Sequence, residues 1–142
     1  MNTPTRDRHS IGFTAARNQL KSILDTSDKG GLTLVCRGSG SAAVVNSEMF
    51  RTFLISTVRP EVRVVHEDGA WAAFMPGLPF AAEGTTLDEA VTDLIDALRD
   101  YADDWQDHLH TASNHIGNWP LVQLIAASSD EQLTDWLTGA AT

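Results

Sequence analysis

TLDEAVTDLIDALRDYADDW, residues 86–105, has the pattern of a long amphipathic helix. Thr86 and Glu89 have the Thr-x-x-Glu spacing of a capping box, in which two side chains accept hydrogen bonds from backbone N–H groups of the first turn. Apolar side chains then recur every three or four residues, at Leu87, Val91, Leu94, Leu98, Tyr101 and Trp105. Aspartates lie on the opposite face, at Asp93, Asp96, Asp100 and Asp104. We therefore predict a helix with one buried face and one acidic face.

The residues around this helix predict a small antiparallel sheet and a helical tail. Val62–His66 and Trp71–Met75 are strand-like and flank Glu67-Asp68-Gly69, whose Asp-Gly pair is typical of a two-residue hairpin turn. Phe80–Glu83 is predicted as a third strand. Two shorter helices are predicted after residue 118, Trp119–Ala127 and Asp130–Gly139, the second with a capping box at Ser129 and Gln132.

The first part of the chain predicts a second, separate group of elements. Ile11 and Phe13 alternate with polar residues, as in a short strand, and Thr14 is the expected N-cap of a helix that runs to about Asp25. Gly30-Gly31 is the expected stop. The buried face of this helix is predicted to be Ala16, Leu20, Ile23 and Leu24. The further predicted elements are strands Leu32–Arg37 and Ala42–Asn46, a hairpin turn at Gly38-Ser39-Gly40-Ser41, and a short helix capped by Ser47.

Pro60 marks the predicted boundary, because proline disfavours helical geometry in the residue before it. We predict an α+β protein of two small modules. Residues 1–58 form the first, with the order βαββα, and residues 59–142 form the second, with the order βββα followed by C-terminal helices.

Composition is typical of a soluble globular protein, with 42% hydrophobic and 20% charged residues among 142. No apolar run approaches the ~18–20 residues of a membrane span, and residues 1–10 lack the apolar stretch of a signal peptide. Cys36 is the single cysteine, so no intrachain disulfide is possible. We expect a cytoplasmic protein.

Charge is divided unevenly along the chain. Residues 1–66 hold nine of the ten Lys and Arg residues against five acidic ones, whereas residues 67–142 hold Arg99 against fourteen acidic residues. Such a chain has opposite preferences for polyanions at its two ends. The plainer interpretation is that the acidic part is a solvated surface.

Short features follow one another in a defined order along residues 9–55. They are Ala16-Arg17 followed by Leu20, a helix end near Gly30-Gly31, a strand ending in Arg37-Gly38, a second strand of Ala and Val, and Ser47-Glu48-x-Phe50. This order resembles the Phd/YefM (prevent-host-death) antitoxin family. The resemblance implies an antitoxin of a bacterial type II toxin–antitoxin system, a homodimer or larger assembly that represses its own operon and neutralises a protein toxin.

The segment Glu67–Pro79, together with Glu83–Ala90, resembles a different family, the HicB-like antitoxin domain. HicB proteins usually carry a DNA-binding segment after this domain, but nothing basic follows it here. The DNA-binding role would therefore belong to the first module, and the second would bind the partner.

The Phd/YefM resemblance points to the exposed side of the first helix and the adjacent loops as the operator-binding surface. Arg17 and Lys21 are four residues apart, so we expect them on one helix face, where a guanidinium can bind a phosphate or a guanine edge through two hydrogen bonds. A solvated polar face is the alternative. The predicted DNA-binding residues are Arg6, Arg8, Thr14, Arg17, Asn18, Lys21 and Arg37.

The acidic module fits a basic toxin, because translation-blocking toxins act on RNA and tend to be basic. Aromatic side chains often dominate interface energies, although more of them are core residues. The predicted partner-binding residues are Trp71, Phe74, Asp100, Asp104, Trp119 and Trp136.

Enzymatic function is the main rival interpretation, and it finds little support. His108, His110 and His115 lie near Asp104, but no His-Glu-x-x-His motif or cysteine pair accompanies them, so we predict neither a metal nor another cofactor. Gly38–Ser41 lacks the Gly-Lys-Ser/Thr of a phosphate loop, and no nucleophile elbow is present. A protein-interaction module without DNA binding is the other alternative.

Overall fold

The computed structural model describes residues 9–140, and these form two compact units with the boundary between Phe50 and Arg51. Each unit contains a three-stranded sheet and helices. The predicted α+β class is confirmed. The predicted functional boundary at residues 58–59 stays a prediction. Within residues 9–140, none of the helices combines the length and apolar character that a membrane span requires.

The first unit is built on a sheet of order β1-β2-β3. Strand β1 (Ser10–Gly12) pairs parallel with β2 (Thr33–Arg37), and β2 pairs antiparallel with β3 (Gly40–Val44). Helices α1 (Phe13–Asn18) and α2 (Leu20–Asp28) connect β1 to β2. Arg37 pairs with Gly40, so the predicted hairpin turn is present and consists of the two residues between them.

The predicted single helix from Thr14 to Asp25 is wrong. The chain leaves helical geometry at Gln19, which has φ −121° and ψ 26° and separates α1 from α2. Phe13 is helical rather than part of a strand, and the N-cap of α1 is Gly12, so Thr14 lies inside the helix. Gly30 does follow the end of α2 as expected, with φ +86°, a left-handed conformation that glycine adopts without strain.

Helix α3 (Ser47–Thr57) begins one residue earlier than the predicted cap at Ser47 requires, because Ser47 is itself the first helical residue. The capping side chain is that of Asn46, whose Oδ1 accepts a hydrogen bond from the backbone N–H of Met49 at 3.0 Å. Asparagine and serine are about equally good N-cap residues, so the local sequence could not rank these two neighbours.

The second unit has an antiparallel sheet of order β4-β5-β6. Strands β4 (Arg63–Glu67) and β5 (Ala70–Phe74) are joined by Asp68 and Gly69, with φ values of +52° and +77°. Two successive left-handed residues are the signature of a type I′ turn, as the Asp-Gly pair predicts. Strand β6 (Ala81–Gly84) pairs with β5.

Helix α4 (Leu87–Asp107) packs on β5 and β6 and is followed by two 3-10 turns and the helices α5 (Trp119–Ala127) and α6 (Asp130–Thr138). Thr86 accepts a hydrogen bond from the N–H of Glu89 at 3.1 Å. The Glu89 carboxylate accepts its two short hydrogen bonds from Thr85 and interacts only weakly with the Thr86 N–H, which corrects half of the predicted capping box. The second capping box, at Ser129 and Gln132, is confirmed.

The main core of the chain lies in the second unit. Leu94, Leu98, Leu124 and Leu133 are completely buried. The buried face of α4 is close to the predicted one, except that Ile95 is buried and Leu87 is exposed.

Candidate DNA-binding and partner-binding surfaces

Three of the predicted DNA-binding residues lie on helix α1. Arg17 is in its last turn, Asn18 is its last residue and Thr14 is its second residue, and all three side chains are exposed. The helix begins immediately after β1, and its N-cap Gly12 supplies no side chain to the first turn. The parallel pairing of β1 with β2 therefore fixes this short polar helix at the end of the sheet.

Lys21 belongs to helix α2, so the expectation that Arg17 and Lys21 share one helix face is wrong. The i, i+4 argument requires a continuous helix, and the chain breaks at Gln19 between them. Lys21 instead pairs with Asp25, with 2.7 Å between Nζ and Oδ2, and both side chains are well exposed. An exposed pair of this kind contributes little to stability, so it leaves the Lys21 ammonium accessible.

Arg37 lies at the end of β2, next to the hairpin turn, and is exposed. Its guanidinium carbon lies 6.0 Å from the centroid of the Phe13 ring, at the outer limit of a cation–π contact. Phe13 is the first residue of α1, so this contact brings Arg37 to the helix that carries Arg17. Arg6 and Arg8 lie outside the described residues.

The first unit buries little of its apolar surface. Within residues 9–50 the buried residues are Ala16, Ile23 and Ser27. Leu20 and Leu24, predicted to be buried beside Ala16, are 56% and 48% exposed. The other exposed large apolar side chains of this unit are Phe13, Leu32, Val45 and Met49. These side chains are the candidate interaction surface of this unit, because large exposed apolar patches on soluble proteins often mark interaction sites.

The acidic face of α4 is present as predicted, and Asp100 and Asp104 are exposed on it. Asp93 is an exception to full solvation, because its carboxylate accepts a hydrogen bond from the backbone N–H of Glu83 at 3.0 Å. Asp96, Asp103 and Asp107 are also exposed.

Arg99, the single basic residue after residue 66, is held by groups of its own unit. Its guanidinium donates to Asp130 at 2.8 Å and to the backbone carbonyls of Ile125 and Ser128 at 2.5 and 2.8 Å. These bonds fasten the junction of α5 and α6 to α4. Arg99 therefore does not neutralise the aspartates of α4, and the surface they form is strongly negative.

The hydrogen bonds at the start of α4 change the acidity of the Glu89 side chain. Hydrogen bonds from the Thr85 hydroxyl at 2.6 Å and from the Thr85 backbone N–H at 2.8 Å stabilise the ionised carboxylate. They hold the pKa of Glu89 below its ordinary value. The carboxylate therefore contributes, in its ionised form, to the start of α4.

The four aromatic side chains predicted as partner anchors lie in different environments. Trp136 is buried, and its indole N–H donates to the carbonyl of Val58 at 3.0 Å, so it is a core residue. Trp71 stacks on His66, with ring centroids 4.0 Å apart, and Phe74 is half-buried on β5. Trp119 is 48% exposed at the start of α5 and is the most accessible of the four.

Ile116, which the sequence analysis did not select, lies beside Trp119. Both side chains line a shallow groove of about 470 Å³ together with Trp105, Gln106 and His110. Ile116 is 57% exposed although it is large and apolar. The sequence signal that could have identified Ile116 is its position between histidine and glycine-asparagine, which gives it no adjacent apolar residue with which to form a core.

The histidines are dispersed among separate partners. Nδ1 of His115 lies 2.8 Å from the Tyr101 hydroxyl, Nδ1 of His110 lies 3.2 Å from the Trp105 carbonyl, and Nδ1 of His108 lies 3.3 Å from Asp107. Within the described part of the chain, no group of three or more His, Cys, Asp or Glu side chains is placed to hold a metal ion.

Comparisons with known proteins identify a similar fold and a family. A crystal structure described as an antitoxin part of a proposed toxin/antitoxin system from Syntrophomonas wolfei subsp. wolfei superposes with a TM-score of 0.74. The match covers 89% of this chain and 94% of that one at 18% sequence identity, so it shows a shared fold. No curated protein is significantly similar in sequence. A family model described as "PHD_like: Antitoxin of toxin-antitoxin, RelE / RelB, TA system" matches residues 8–133. The chain therefore belongs to the PHD-like family of antitoxins of toxin–antitoxin systems.

Proposed function

We propose that this antitoxin is a homodimer that binds operator DNA through its first unit and neutralises its cognate toxin through its second unit. The observation that carries the proposal is the division of charge between the units. Residues 1–50 hold six basic and four acidic side chains, whereas residues 51–142 hold four basic and fifteen acidic ones. The first unit then corresponds to a Phd/YefM-like module and the second to a HicB-like module.

The exposed apolar side chains of the first unit support dimerisation. A unit of about 50 residues with so few buried side chains has little apolar burial of its own to offset the entropy lost on folding. Covering Phe13, Leu20, Leu24 and Met49 would supply that burial, at roughly 25 cal/mol for each Å² removed from water. A second copy presents the same side chains, so a two-fold interface is self-complementary.

Arg17 is the residue to which we assign the principal DNA contact. It is exposed on a short helix that also carries Thr14 and Asn18, and Arg37 contacts the first residue of that helix. Two copies would present two such helices, as a palindromic operator requires. Lys21 would add a phosphate contact, and Arg6 and Arg8 would extend the basic surface.

The operator proposal is tested by fluorescence anisotropy with labelled DNA from upstream of the gene and with scrambled DNA. If the protein makes several phosphate contacts, its affinity for the operator should fall by ~10³ when the salt concentration rises from 50 to 200 mM. Arg17→Ala removes one contact per copy, each of about 1–3 kcal/mol, so affinity should fall at least about tenfold. Arg59→Ala makes the same charge change in the second unit and is the matched control.

Equal affinity of folded Arg17→Ala and Arg59→Ala proteins for the operator would contradict the assignment of Arg17. If the wild-type protein shows no preference for the upstream DNA, the alternative is favoured, namely a protein-interaction module in which the first unit serves only dimerisation.

For the toxin we propose a basic partner that binds the acidic face of α4 and the adjacent aromatic side chains. Asp100 and Asp104 would steer the toxin, and Trp119 would be the anchor, since Trp136 is already buried in the core. Trp71 and Phe74 would form a second contact area on β5. The double variant Asp100→Lys, Asp104→Lys should neutralise the toxin less well than the wild-type protein. The main cause should be slower association with the toxin, and the association rate should no longer depend on salt concentration. Unchanged neutralisation would exclude the acidic face.

A further inference from the structure

The outermost strand of the second unit, β4, is exposed along its whole length. All five residues from Arg63 to Glu67 are accessible, and Val64 and Val65 are 45% and 46% exposed. Helix α4 covers the sheet over β5 and β6, where Ala73 and Ala82 are completely buried. A free edge with bare apolar side chains is a template for pairing with another strand, and natural proteins usually protect it.

The hairpin geometry fixes which groups of β4 face outward. Glu67 and Ala70 flank the two-residue turn and close it as a hydrogen-bonded pair. Hydrogen-bonded and non-hydrogen-bonded pairs alternate along an antiparallel ladder. The backbone groups of Arg63, Val65 and Glu67 are therefore directed to β5, and those of Val64 and His66 are directed to the free edge.

We infer that β4 is a second self-association site, at which β4 of one copy pairs antiparallel with β4 of another about a two-fold axis at Val65. The sequence Arg-Val-Val-His-Glu is complementary to itself in this register. Arg63 lies opposite Glu67 of the second copy and Val65 lies opposite Val65, while Val64 and His66 supply the hydrogen bonds. The two three-stranded sheets then become one six-stranded sheet.

The charged residues of β4 favour a second copy of the same strand as the partner that pairs with this edge. Arg63 and Glu67 lie on one face of β4, but they are four positions apart, or about 13 Å along a strand, so they cannot pair within one chain. Arg63 has a loose contact with Glu61, 3.6 Å between charged atoms, in which both side chains are largely exposed. In the antiparallel register, both Arg63–Glu67 pairs fall at non-hydrogen-bonded positions, where opposite side chains come closest.

This site is independent of the proposed dimer of the first unit and of DNA binding. If the first unit dimerises as proposed, pairing through β4 produces a tetramer or a longer chain of dimers. If it does not, the same pairing produces a dimer. In both cases the first association step through β4 doubles the molar mass.

Sedimentation velocity of the full chain over a concentration series tests the inference. Arg63→Glu and Glu67→Arg should each weaken the mass-doubling step about tenfold, because each sets like charges opposite one another twice in the symmetric pair. The double variant Arg63→Glu, Glu67→Arg restores opposite charges and should return the dissociation constant to within about threefold of wild type. Arg59→Glu is the control for the charge change outside β4.

Val64→Pro provides a variant without a charge change. It removes an outward N–H and leaves the β4–β5 hydrogen bonds, which an edge strand tolerates, and it should abolish the doubling while urea unfolding stays near wild type. The inference is overturned if these variants associate like wild type or if the double variant remains as weak as the single ones. Loss of toxin capture with unchanged self-association would also overturn it and would assign the edge to a toxin strand.

Discussion

The Tyr101 hydroxyl joins the long helix to the turn that leads into the tail, and its removal has a calculable cost. Tyr101 is 3% exposed and belongs to a cluster with Trp105 and Val122. Nδ2 of Asn118 donates to the hydroxyl oxygen at 2.8 Å. The hydroxyl proton is then free to be donated to Nδ1 of His115, also at 2.8 Å, which requires the tautomer with the proton on Nε2.

Tyr101→Phe keeps the ring and removes both hydrogen bonds. Each neutral bond contributes about 1 kcal/mol, and Asn118 and His115 lose a partner in a half-buried place, so the free energy of unfolding should fall by about 2 kcal/mol. For a chain of this size that corresponds to a decrease in Tm of about 4–8 °C. Urea unfolding, followed by tryptophan fluorescence at one fixed protein concentration, measures the change.

A double-mutant cycle with Asn118→Ala separates the network from general packing. Because both variants break the same bond, the double variant should be less destabilised than the sum of the single ones by about 0.5–1 kcal/mol. His108→Gln is the control, since the contact of His108 with Asp107 is exposed and 3.3 Å long. A Tyr101→Phe protein within about 0.5 kcal/mol of wild type would refute the assignment of a structural role to this hydroxyl.

Three further predictions concern the second unit. Leu98→Ala removes a completely buried side chain of α4 and should destabilise the chain by about 2–5 kcal/mol in urea unfolding, with near-wild-type stability counting against a packed core. Gly84→Ala places a Cβ 2.5 Å from the backbone nitrogen of Ala90, so β6 and α4 must separate, and we expect a loss of about 1–3 kcal/mol, whereas Gly117→Ala, which meets nothing within 4 Å, should lose far less. The lowered pKa of Glu89 means that its ionised form stabilises the fold above the ordinary value of 4.5, and that this stabilisation is lost as the pH falls through the folded-state pKa. Glu89→Gln should therefore flatten the acid limb of the stability–pH curve, and an unchanged limb would show that the Thr85 bonds do not discriminate between the two protonation states.

The elements that could be predicted from sequence are those whose signals are local. The Asp68-Gly69 turn needs two left-handed residues, and the helix after Thr86 has a cap and a long apolar period, so neighbouring residues suffice for both. The break at Gln19 could not be predicted, because residues 14–25 contain no glycine or proline and their apolar spacing fits one helix. Helix propensity is a weak signal that tertiary context overrides, so residues 14–25 alone could not locate this break.

The charge of the candidate surfaces could be predicted from the sequence, whereas the exposure of individual side chains on them could not. The acidic face of α4 follows from composition and period alone. Trp119 and Trp136, in contrast, both occur in short C-terminal helices, and only the tertiary structure separates an exposed side chain from a buried one. The open edge of β4 also escaped prediction, since the position of a strand in its sheet depends on where the helix packs.

All four tryptophans, Trp71, Trp105, Trp119 and Trp136, lie in the second unit, and so does the single tyrosine, Tyr101. Emission excited near 295 nm therefore reports on that unit alone, and the first unit is optically silent at this wavelength. Circular dichroism at 222 nm detects the helices of both. A transition seen by circular dichroism and absent from the tryptophan emission would therefore report the unfolding of the first unit without a label, and a blue shift of the exposed Trp119 would report its burial by a bound toxin.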